Sequence, residues 1–406
     1  MRIVAGLIVG LLTMGPALAQ TILPDPVQGA EVEMGTQAGL DAWIAEFRPR
    51  ALAAGIPAAT FDAALSGVEF NASVVERDRN QNEFTKTVWD YLDTAVSEDR
   101  VALGIKALAR HRALLERIEA EYGVEKEIVA AVWGLESAYG TFRGDLPVLG
   151  SLATLAYDGR RGAFFEAELI AALRIVEGRH VGTFTGSWAG ASGHTQFMPS
   201  SWEKLAVDFD GDGKRNLWGD DPADALASTA NYLRHWGWTP GMPWGLEVRL
   251  PDGFDYDQTT ERVVKPVADW AALGVTPTGG GALPDHGPGS ILLPGGARGA
   301  AFLIFPNFQV IEKYNTADAY IIAIGHLADR IKGGASIAAI WPRELRALTL
   351  EERRELQNLL GQAGFDPGGV DGRMGPKTIA AVKALQKARG LIPDGYPSLE
   401  ILTLLR

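Results

Sequence analysis

Cysteine is absent from the 406 residues, and histidine and methionine occur only six times each. Without thiols the chain can form neither a disulfide framework nor a thiolate metal site, and no cysteine follows the N-terminal segment to accept a lipid. Basic residues are also scarce, since 38 Lys and Arg stand against 50 Asp and Glu and the formal net charge is −12. An extended basic patch is therefore not expected, and no nucleic acid is expected as the main partner.

Long apolar runs are missing as well, apart from one short run at the N terminus. Arg2 is followed by the apolar run Ile3 to Leu12 and then by the small residues that lead to Ala19. This run is shorter than the roughly 20 residues of a membrane span, so a membrane anchor is the less favoured alternative. The pattern matches a secretory signal peptide over residues 1–19. We therefore expect an exported protein that has no membrane span after cleavage.

The length and composition predict more than one domain. With 47% hydrophobic and 22% charged residues, a chain this long exceeds a single simple core. Helical periodicity dominates, except at about residues 239–308, where Gly, Pro and short alternating runs predict a small β-rich insertion. The predicted fold class is mainly α. The chain is predicted to comprise a domain at 20–340, a linker at 341–347 and a C-terminal three-helix domain at 348–406.

One acidic side chain lies on the apolar face of a predicted helix, in the segment AAVWGLESAYG at residues 130–140. Glu136 shares that face with Val132 and Trp133 at helical spacing. Burial beside an indole disfavours a charged carboxylate, as a general acid that works near neutral pH requires. Gly140 is predicted to end the helix and to leave room for a ligand. The alternative is a structural Glu with a salt-bridge partner at the rim of the core.

Three further segments carry polar side chains suited to a ligand. The adjacent cations Arg160 and Arg161 stand at a predicted helix start and oppose the helix dipole, so they either contact an anion or are solvated. The segment 187–202, SWAGASGHTQFMPSSW, is typical of a ligand-contacting loop or of a packed connector. Tyr314 and Asn315 stand where an alternating pattern changes to a helical one, a place where side chains commonly point into a cleft.

Alternating aspartates in the segment DFDGDG indicate a cation site. They occupy the first, third and fifth positions of an EF-hand-like loop, with Gly213 at the sixth, although Gly219 replaces the Glu expected at the twelfth. A structural Ca²⁺ or Na⁺ ion is expected, and a solvated acidic turn is the alternative. The predicted ligand set is Asp208, Asp210, Asp212, Lys214 and Asp224.

Taken in order, ESAYG at 136–140, the arginine pair, the 187–202 loop, the aspartate loop and Tyr314-Asn315 resemble the B-type lytic murein transglycosylases. The resemblance covers about residues 36–335, and residues 348–406 look like the peptidoglycan-binding module of cell-wall enzymes. It implies a lysozyme-like helical catalytic domain, peptidoglycan glycan strands as the partner, a periplasmic location and no cofactor for catalysis. We expect a monomer.

The resemblance also gives individual residues a role. It implies that Glu136 is the catalytic acid and base. In the family, Met often precedes the glycine at position 193 and Gln or Tyr follows it, whereas this chain has Ser192 and His194, which we expect to alter loop packing or a subsite more than the chemistry. The residues that match positions that orient the acid or contact the glycan are Arg160, Arg161, Ser187, Gln196, Tyr314, Asn315 and Tyr320.

A second carboxylate suited to glycoside hydrolysis is lacking in the sequence. Hydrolysis ordinarily uses two carboxylates, and Glu136 is the one good candidate. In lytic transglycosylation the nucleophile is the C6 hydroxyl of the same MurNAc residue, so the second carboxylate is not needed. The resemblance therefore implies cleavage of the MurNAc–GlcNAc β-1,4 bond with 1,6-anhydro-MurNAc ends. A water-using muramidase and a non-catalytic peptidoglycan-binding protein are the alternatives.

Overall fold

Nine helices occupy the described part of the first half of the chain. The computed structural model describes residues 35–79, 86–178, 180–260 and 262–406, and the predicted signal peptide at 1–19 lies outside them. Thr36, Thr87 and Ser97 each accept a hydrogen bond from the amide three residues later and so cap the helices that follow. The helices are α1 Gln37–Ala53, α2 Ala58–Leu65, α3 Ala72–Arg79, α4 Val88–Ala95, α5 Glu98–Arg110, α6 Arg112–Tyr122, α7 Lys126–Ser137, α8 Val148–Asp158 and α9 Gly162–Glu177.

Helices α1, α2, α3, α8 and α9 enclose one hydrophobic core, in which Phe47, Leu152 and Phe165 are fully buried. The structure divides residues 148–177 into α8 and α9, and α9 begins directly after Arg161, where the sequence predicts a helix start. Gly159 causes this break, because its φ of 80° is left-handed and ends α8. Arg160 and Arg161 therefore lie in a tight turn between two helices.

Helix α7 lies at the centre of a second and larger core. It contacts α5, α6 and α11, and it packs most extensively on α14. Eight of its twelve residues are buried, so the helix has almost no solvated face. The side chain of Glu136 is half-buried at its C-terminal end. The helices of this part of the chain are α10 Pro199–Leu205, α11 Ala223–His235, α12 Val267–Ala272, α13 Pro306–Glu312 and α14 Asp318–Ile331.

The β-structure consists of two small antiparallel sheets. Strands β1 Leu146–Pro147 and β2 Thr185–Gly186 form a two-stranded pair. The predicted insertion at 239–308 is confirmed as a four-stranded sheet in the order β4-β3-β6-β5. One face of this sheet packs on Trp270 of α12, and the two together form a separate hydrophobic core. Its strands are β3 Gly245–Arg249, β4 Thr276–Pro277, β5 Ser290–Leu292 and β6 Ala301–Ile304.

Three helices form the C-terminal region, as the apolar spacing predicts. They are α15 Leu350–Gln362, α16 Pro376–Ala388 and α17 Leu399–Leu405, and they share a separate small core. Thr349 begins α15 with a capping box. The region also contacts the insertion, because Asp394 accepts from the Ala297 amide at 2.8 Å and Lys383 Nζ donates to the Tyr256 carbonyl at 2.6 Å.

The mainly helical fold class is confirmed, with its β-rich insertion and its three C-terminal helices. The exact domain limits of 20–340, 341–347 and 348–406 stay a prediction. In the described part of the chain, none of the helices has the length and apolar character needed to cross a bilayer.

Candidate active site

Glu136 is the penultimate residue of α7, and the backbone after the helix is strained. Ala138, Tyr139 and Gly140 follow one another with φ values of 48°, 59° and 85°. Only glycine adopts this left-handed region without cost, so Ala138 and Tyr139 hold conformations that the surrounding packing must enforce. Such strain is concentrated at functional sites. Here it turns the chain sharply just beyond the carboxylate.

The structure corrects the expected role of Gly140. The helix ends at Ser137, with Ala138 as its left-handed cap, and not at Gly140. A Cβ at Gly140 would lie 2.6 Å from His194 Nδ1, so the missing side chain makes room for the imidazole of His194. The imidazole ring therefore takes the place of the missing side chain.

Tyr320 of α14 donates a hydrogen bond to Glu136 Oε1. The phenol is buried, and burial together with the negative charge and the hydrogen bond of Glu136 raises the pKa of Tyr320 well above its usual value. Tyr320 therefore keeps its proton at all physiological pH values. It is a permanent donor that fixes one oxygen of the carboxylate.

Tyr314 is the second phenol of the site. Its hydroxyl donates to the Thr195 carbonyl at 3.2 Å, and its ring packs 4.8 Å from the ring of Tyr232. Burial raises the pKa of Tyr314 well above its usual value, and the charge of Glu136 adds to this effect. The structure thus brings three of the predicted residues together: Glu136, Tyr314 and Tyr320.

The neighbouring Asn315 has a local structural contact. Its Oδ1 accepts from the Ala317 amide at 2.9 Å, in the turn that leads into α14. This bond orients the start of the helix that carries Tyr320. Its predicted contact with a glycan stays a prediction.

Ser137 ties the helix end to the loop of residues 187–202. Its Oγ donates to the His194 carbonyl at 2.5 Å and accepts from the Gly140 amide at 2.9 Å. Trp133 Nε1 donates to His194 Nδ1 at 3.2 Å, which requires the tautomer with the proton on Nε2, and this proton faces the Gly219 carbonyl at 2.7 Å. Burial lowers the pKa of His194, so the ring is neutral. These two hydrogen bonds therefore hold the neutral ring of His194 in place.

The sequence predicts that Ser192 and His194 alter loop packing or a subsite, but it does not reveal the contact between His194 and Trp133. The one signal in the sequence was the replacement of the residue that commonly follows Gly193. Trp133 and His194 lie 61 residues apart, so periodicity could not pair them.

Gln196 and Ser187 lie in the same loop. Gln196 has a left-handed φ of 52°, and its Nε2 donates to the carbonyls of Arg143 and Gly193 at 3.0 and 2.9 Å. Ser187 is half-buried, and its amide donates to the Ala191 carbonyl at 2.7 Å. These contacts shape the loop as a rigid support, while binding of a glycan by either side chain stays a prediction.

Arg160 and Arg161 both contact Asp78 of α3. Asp78 is 2% exposed, and Arg160 Nε donates to its Oδ2 at 2.5 Å. Arg161 Nη2 donates to Oδ1 at 3.4 Å, and its guanidinium carbon lies 4.7 Å from the ring centre of Phe165. Neither arginine is simply solvated, because one buried carboxylate anchors both. The shared carboxylate thus fixes the position of both guanidinium groups.

Three carboxylates of the aspartate loop lie close together, as the sequence predicts. Carboxylate oxygens of Asp208, Asp210 and Asp212 lie within 4.8 Å of one another and are exposed. Three hard oxygen ligands at this spacing suit a divalent cation. Lys214 occupies the seventh position of the loop, where calcium loops use the backbone carbonyl, and its amide donates to Asp212 Oδ1 at 2.8 Å.

Asp224 differs from the other predicted ligands in its surroundings. It is 2% exposed, and its two oxygens accept from the amides of Phe209 and Asn216 at 2.7 and 2.8 Å. Burial raises the pKa of Asp224, while these bonds oppose that effect. The buried carboxylate of Asp224 thus stabilises the loop through these hydrogen bonds. Its coordination of an ion stays a prediction.

Comparison with known proteins shows the family. The family model described as Transglycosylase SLT domain matches residues 39–329, and that of the peptidoglycan binding domain matches residues 349–405. The chain is 34% identical over 250 residues to membrane-bound lytic murein transglycosylase B of Escherichia coli, a match that covers 59% of this chain and 66% of that protein.

Solved structures agree with this assignment. SltB3 from Pseudomonas aeruginosa, crystallised with NAG-anhNAM-pentapeptide and also with NAG-NAM-pentapeptide, is 49% identical, with a TM-score of 0.88 over 90% of this chain and 99% of that chain. Escherichia coli Slt35 in complex with calcium is 30% identical, with a TM-score of 0.61 over 74% of this chain and 96% of that chain. The fold is therefore lysozyme-like. The chain belongs to the SLT-domain family of lytic transglycosylases and carries a C-terminal peptidoglycan-binding domain.

Proposed function

We propose that this protein cleaves the β-1,4 bond between MurNAc and GlcNAc of peptidoglycan and leaves 1,6-anhydro-MurNAc ends, with Glu136 as both acid and base. The observation that carries the proposal is the placement of Glu136 at the end of a buried helix, where a permanently protonated phenol holds one of its oxygens. The anhydro sugar bound to SltB3 supports the same product for this chain.

The reaction needs one carboxyl group in two successive roles. Protonated Glu136 donates its proton to the glycosidic oxygen, the bond from MurNAc C1 to that oxygen breaks, and GlcNAc leaves with a new hydroxyl. The C6 hydroxyl of the same MurNAc then attacks C1 and gives its proton to ionised Glu136. No water enters the product, and Glu136 returns to its protonated form. The tethered nucleophile gives the attack an entropic advantage over free water.

Tyr320 holds the acid in place. It donates a hydrogen bond to Oε1 of Glu136. The same bond stabilises the ionised carboxylate that forms after the first step, because a hydrogen bond to a charged acceptor is stronger than one to a neutral acceptor. Tyr320 therefore positions Glu136 and favours its conversion to the base.

The remaining predicted residues would bind the glycan around this centre. Arg160 and Arg161 provide a positive charge, and the buried Nε of Arg161 has no partner among the described residues. Ser187, Gln196, Tyr314 and Asn315 would supply polar contacts from the loop and from the turn before α14.

The aspartate loop would hold a structural cation, with Ca²⁺ as the first candidate. The calcium complex of Slt35 and the three converging carboxylates support this assignment. The ion would neutralise the repulsion among these carboxylates and has no part in the chemistry. We further propose that the protein acts in the periplasm as a monomer.

The substitution Glu136→Gln tests the catalytic assignment. The amide keeps the size of the side chain and an acceptor for Tyr320, but it can neither donate nor take the proton. We expect an unchanged melting temperature, retained binding to isolated peptidoglycan sacculi and a loss of turnover of about 1,000-fold or more. The matched control is Glu127→Gln on the same helix, which should keep full activity.

Retained turnover in Glu136→Gln would refute the role of this residue. If the wild-type protein instead binds sacculi and releases no soluble fragments, it is a non-catalytic binding protein.

A further inference from the structure

A cavity of about 350 Å³ adjoins the strained loop that follows Glu136. Three of its lining residues are Ala138, Tyr139 and Gly140, and Ala138 lies two residues after the catalytic carboxylate. The other walls come from α5, from Arg143 and from the turn before α11. We call it the basic cavity, because three cationic side chains line it: Lys106, Arg110 and Arg143.

Two of these cations have no ion-pair partner among the described residues. Lys106 and Arg110 are exposed on α5, four residues apart, and neither makes an ion pair within the part of the chain that the structure describes. Like charges at this helical spacing repel each other. In a chain with a net charge of −12, they form a local positive patch that nothing in the described structure neutralises.

The third cation is held in place. Arg143 Nη1 donates to the carbonyls of Trp218 and Gly219 at 2.6 and 2.7 Å. Its other terminal nitrogen lies 3.6 Å from a carboxylate oxygen of Asp220, whose side chain is fully exposed at the edge of the cavity. The cavity lining thus contains three cationic side chains and one solvated carboxylate.

The histidines of the cavity wall contribute no charge. Burial lowers the pKa of His111 and of His194, so both rings are neutral near pH 7. The wall therefore combines neutral aromatic surface with cations at the mouth. This combination suits an anionic group attached to a larger molecule that enters from solvent.

We propose that the basic cavity binds a carboxylate of the peptide stem on the MurNAc residue next to the cleaved bond. This inference rests on the proposed function, which places a MurNAc residue at Glu136. A peptide stem carries at least its terminal carboxylate, and the ligands bound to SltB3 are pentapeptide muropeptides. The loop Ala138–Gly140 lines the cavity and begins two residues after Glu136, so the cavity lies close along the chain to the proposed reaction centre.

The consequence is a preference among substrates. Strands whose stems keep their carboxylates should bind better than strands whose carboxylates have been converted to amides with carbodiimide and ammonia. The amidated stems keep their length and lose only the charge. An exposed ion pair contributes a factor of about 1.5 to 5 in affinity, so two pairs give a KM ratio of about 2 to 25 at low salt.

The test compares three proteins on both substrates: the wild type, Lys106→Gln/Arg110→Gln, and a control that removes two positive charges elsewhere. The control is Lys86→Gln/Lys204→Gln, since both side chains are exposed and neither lines the cavity. We expect the wild type and the control to show the lower KM on the free-acid strands. The cavity variant should give one KM for both substrates, with kcat unchanged.

The proposal is overturned if the wild type does not distinguish the substrates, or if the cavity variant keeps the full preference. It is also overturned if the control loses the preference equally, because the effect then belongs to overall charge. A wild-type protein that forms no anhydro product on either substrate would instead refute the proposed function.

Discussion

The hydrogen bond between Tyr320 and Glu136 leads to a prediction with a defined size. Tyr320→Phe removes one oxygen from a buried ring and leaves the packing of α14 on α7 in place. A hydrogen bond to a charged group is worth about 1.5–3 kcal/mol, and its loss corresponds to a fall in kcat of about 10- to 100-fold. The fall is smaller than that for Glu136→Gln, because the acid itself remains.

The assay is the initial rate of soluble muropeptide release as a function of pH. Because the ionised carboxylate loses a donor in Tyr320→Phe, the alkaline limb of the pH–rate profile should also move to higher pH. The matched control is Tyr232→Phe, which removes a hydroxyl that donates to the Lys313 carbonyl. The control should keep its rate and its pH profile. A Tyr320→Phe variant with wild-type rate and profile would refute the positioning role.

Three further predictions concern stability and follow from single contacts. Ser137→Ala leaves the Gly140 amide and a buried carbonyl without their partner, so chemical denaturation should show a loss of about 2–4 kcal/mol, and an unchanged stability would contradict the network. Partial burial raises the pKa of Asp329 from 3.8 to about 6, so the free energy of unfolding should fall as pH rises from about 4 to 6. Asp329→Asn should remove this pH-dependent loss and still accept from Trp244 Nε1, and equal slopes in both proteins would contradict it. Chelation should lower the melting temperature of the wild type, and added Ca²⁺ should restore it, whereas Asp210→Asn should not respond; a wild type without any shift would contradict a bound ion.

Local features of the sequence predicted much of the fold. Apolar spacing identified the helices, the Gly- and Pro-rich segment at 239–308 identified the insertion, and alternating aspartates placed three carboxylates in one cluster. Each of these signals acts within a few residues, where periodicity and turn geometry are decisive. Glu136 stood out for the same reason, since its polarity breaks an apolar stripe.

Contacts between distant residues could not be derived in this way. Tyr320 and Glu136 are 184 residues apart, and their bond depends on how α14 packs on α7. Asp78 lies 82 residues before Arg160, so the choice between a solvated and a bound arginine pair depended on a partner that no local pattern reveals. Gly140 fits the same explanation, because its purpose is clear only from the ring of His194 beside it.

The mass of the released muropeptides tests the central claim most directly. If the C6 hydroxyl is the nucleophile and Glu136 serves as both acid and base, the products of the wild type carry 1,6-anhydro-MurNAc ends. Their mass is then lower by one water molecule than that of the corresponding reducing-end products. Products that carry this additional water would contradict the account and identify the protein as a hydrolytic muramidase.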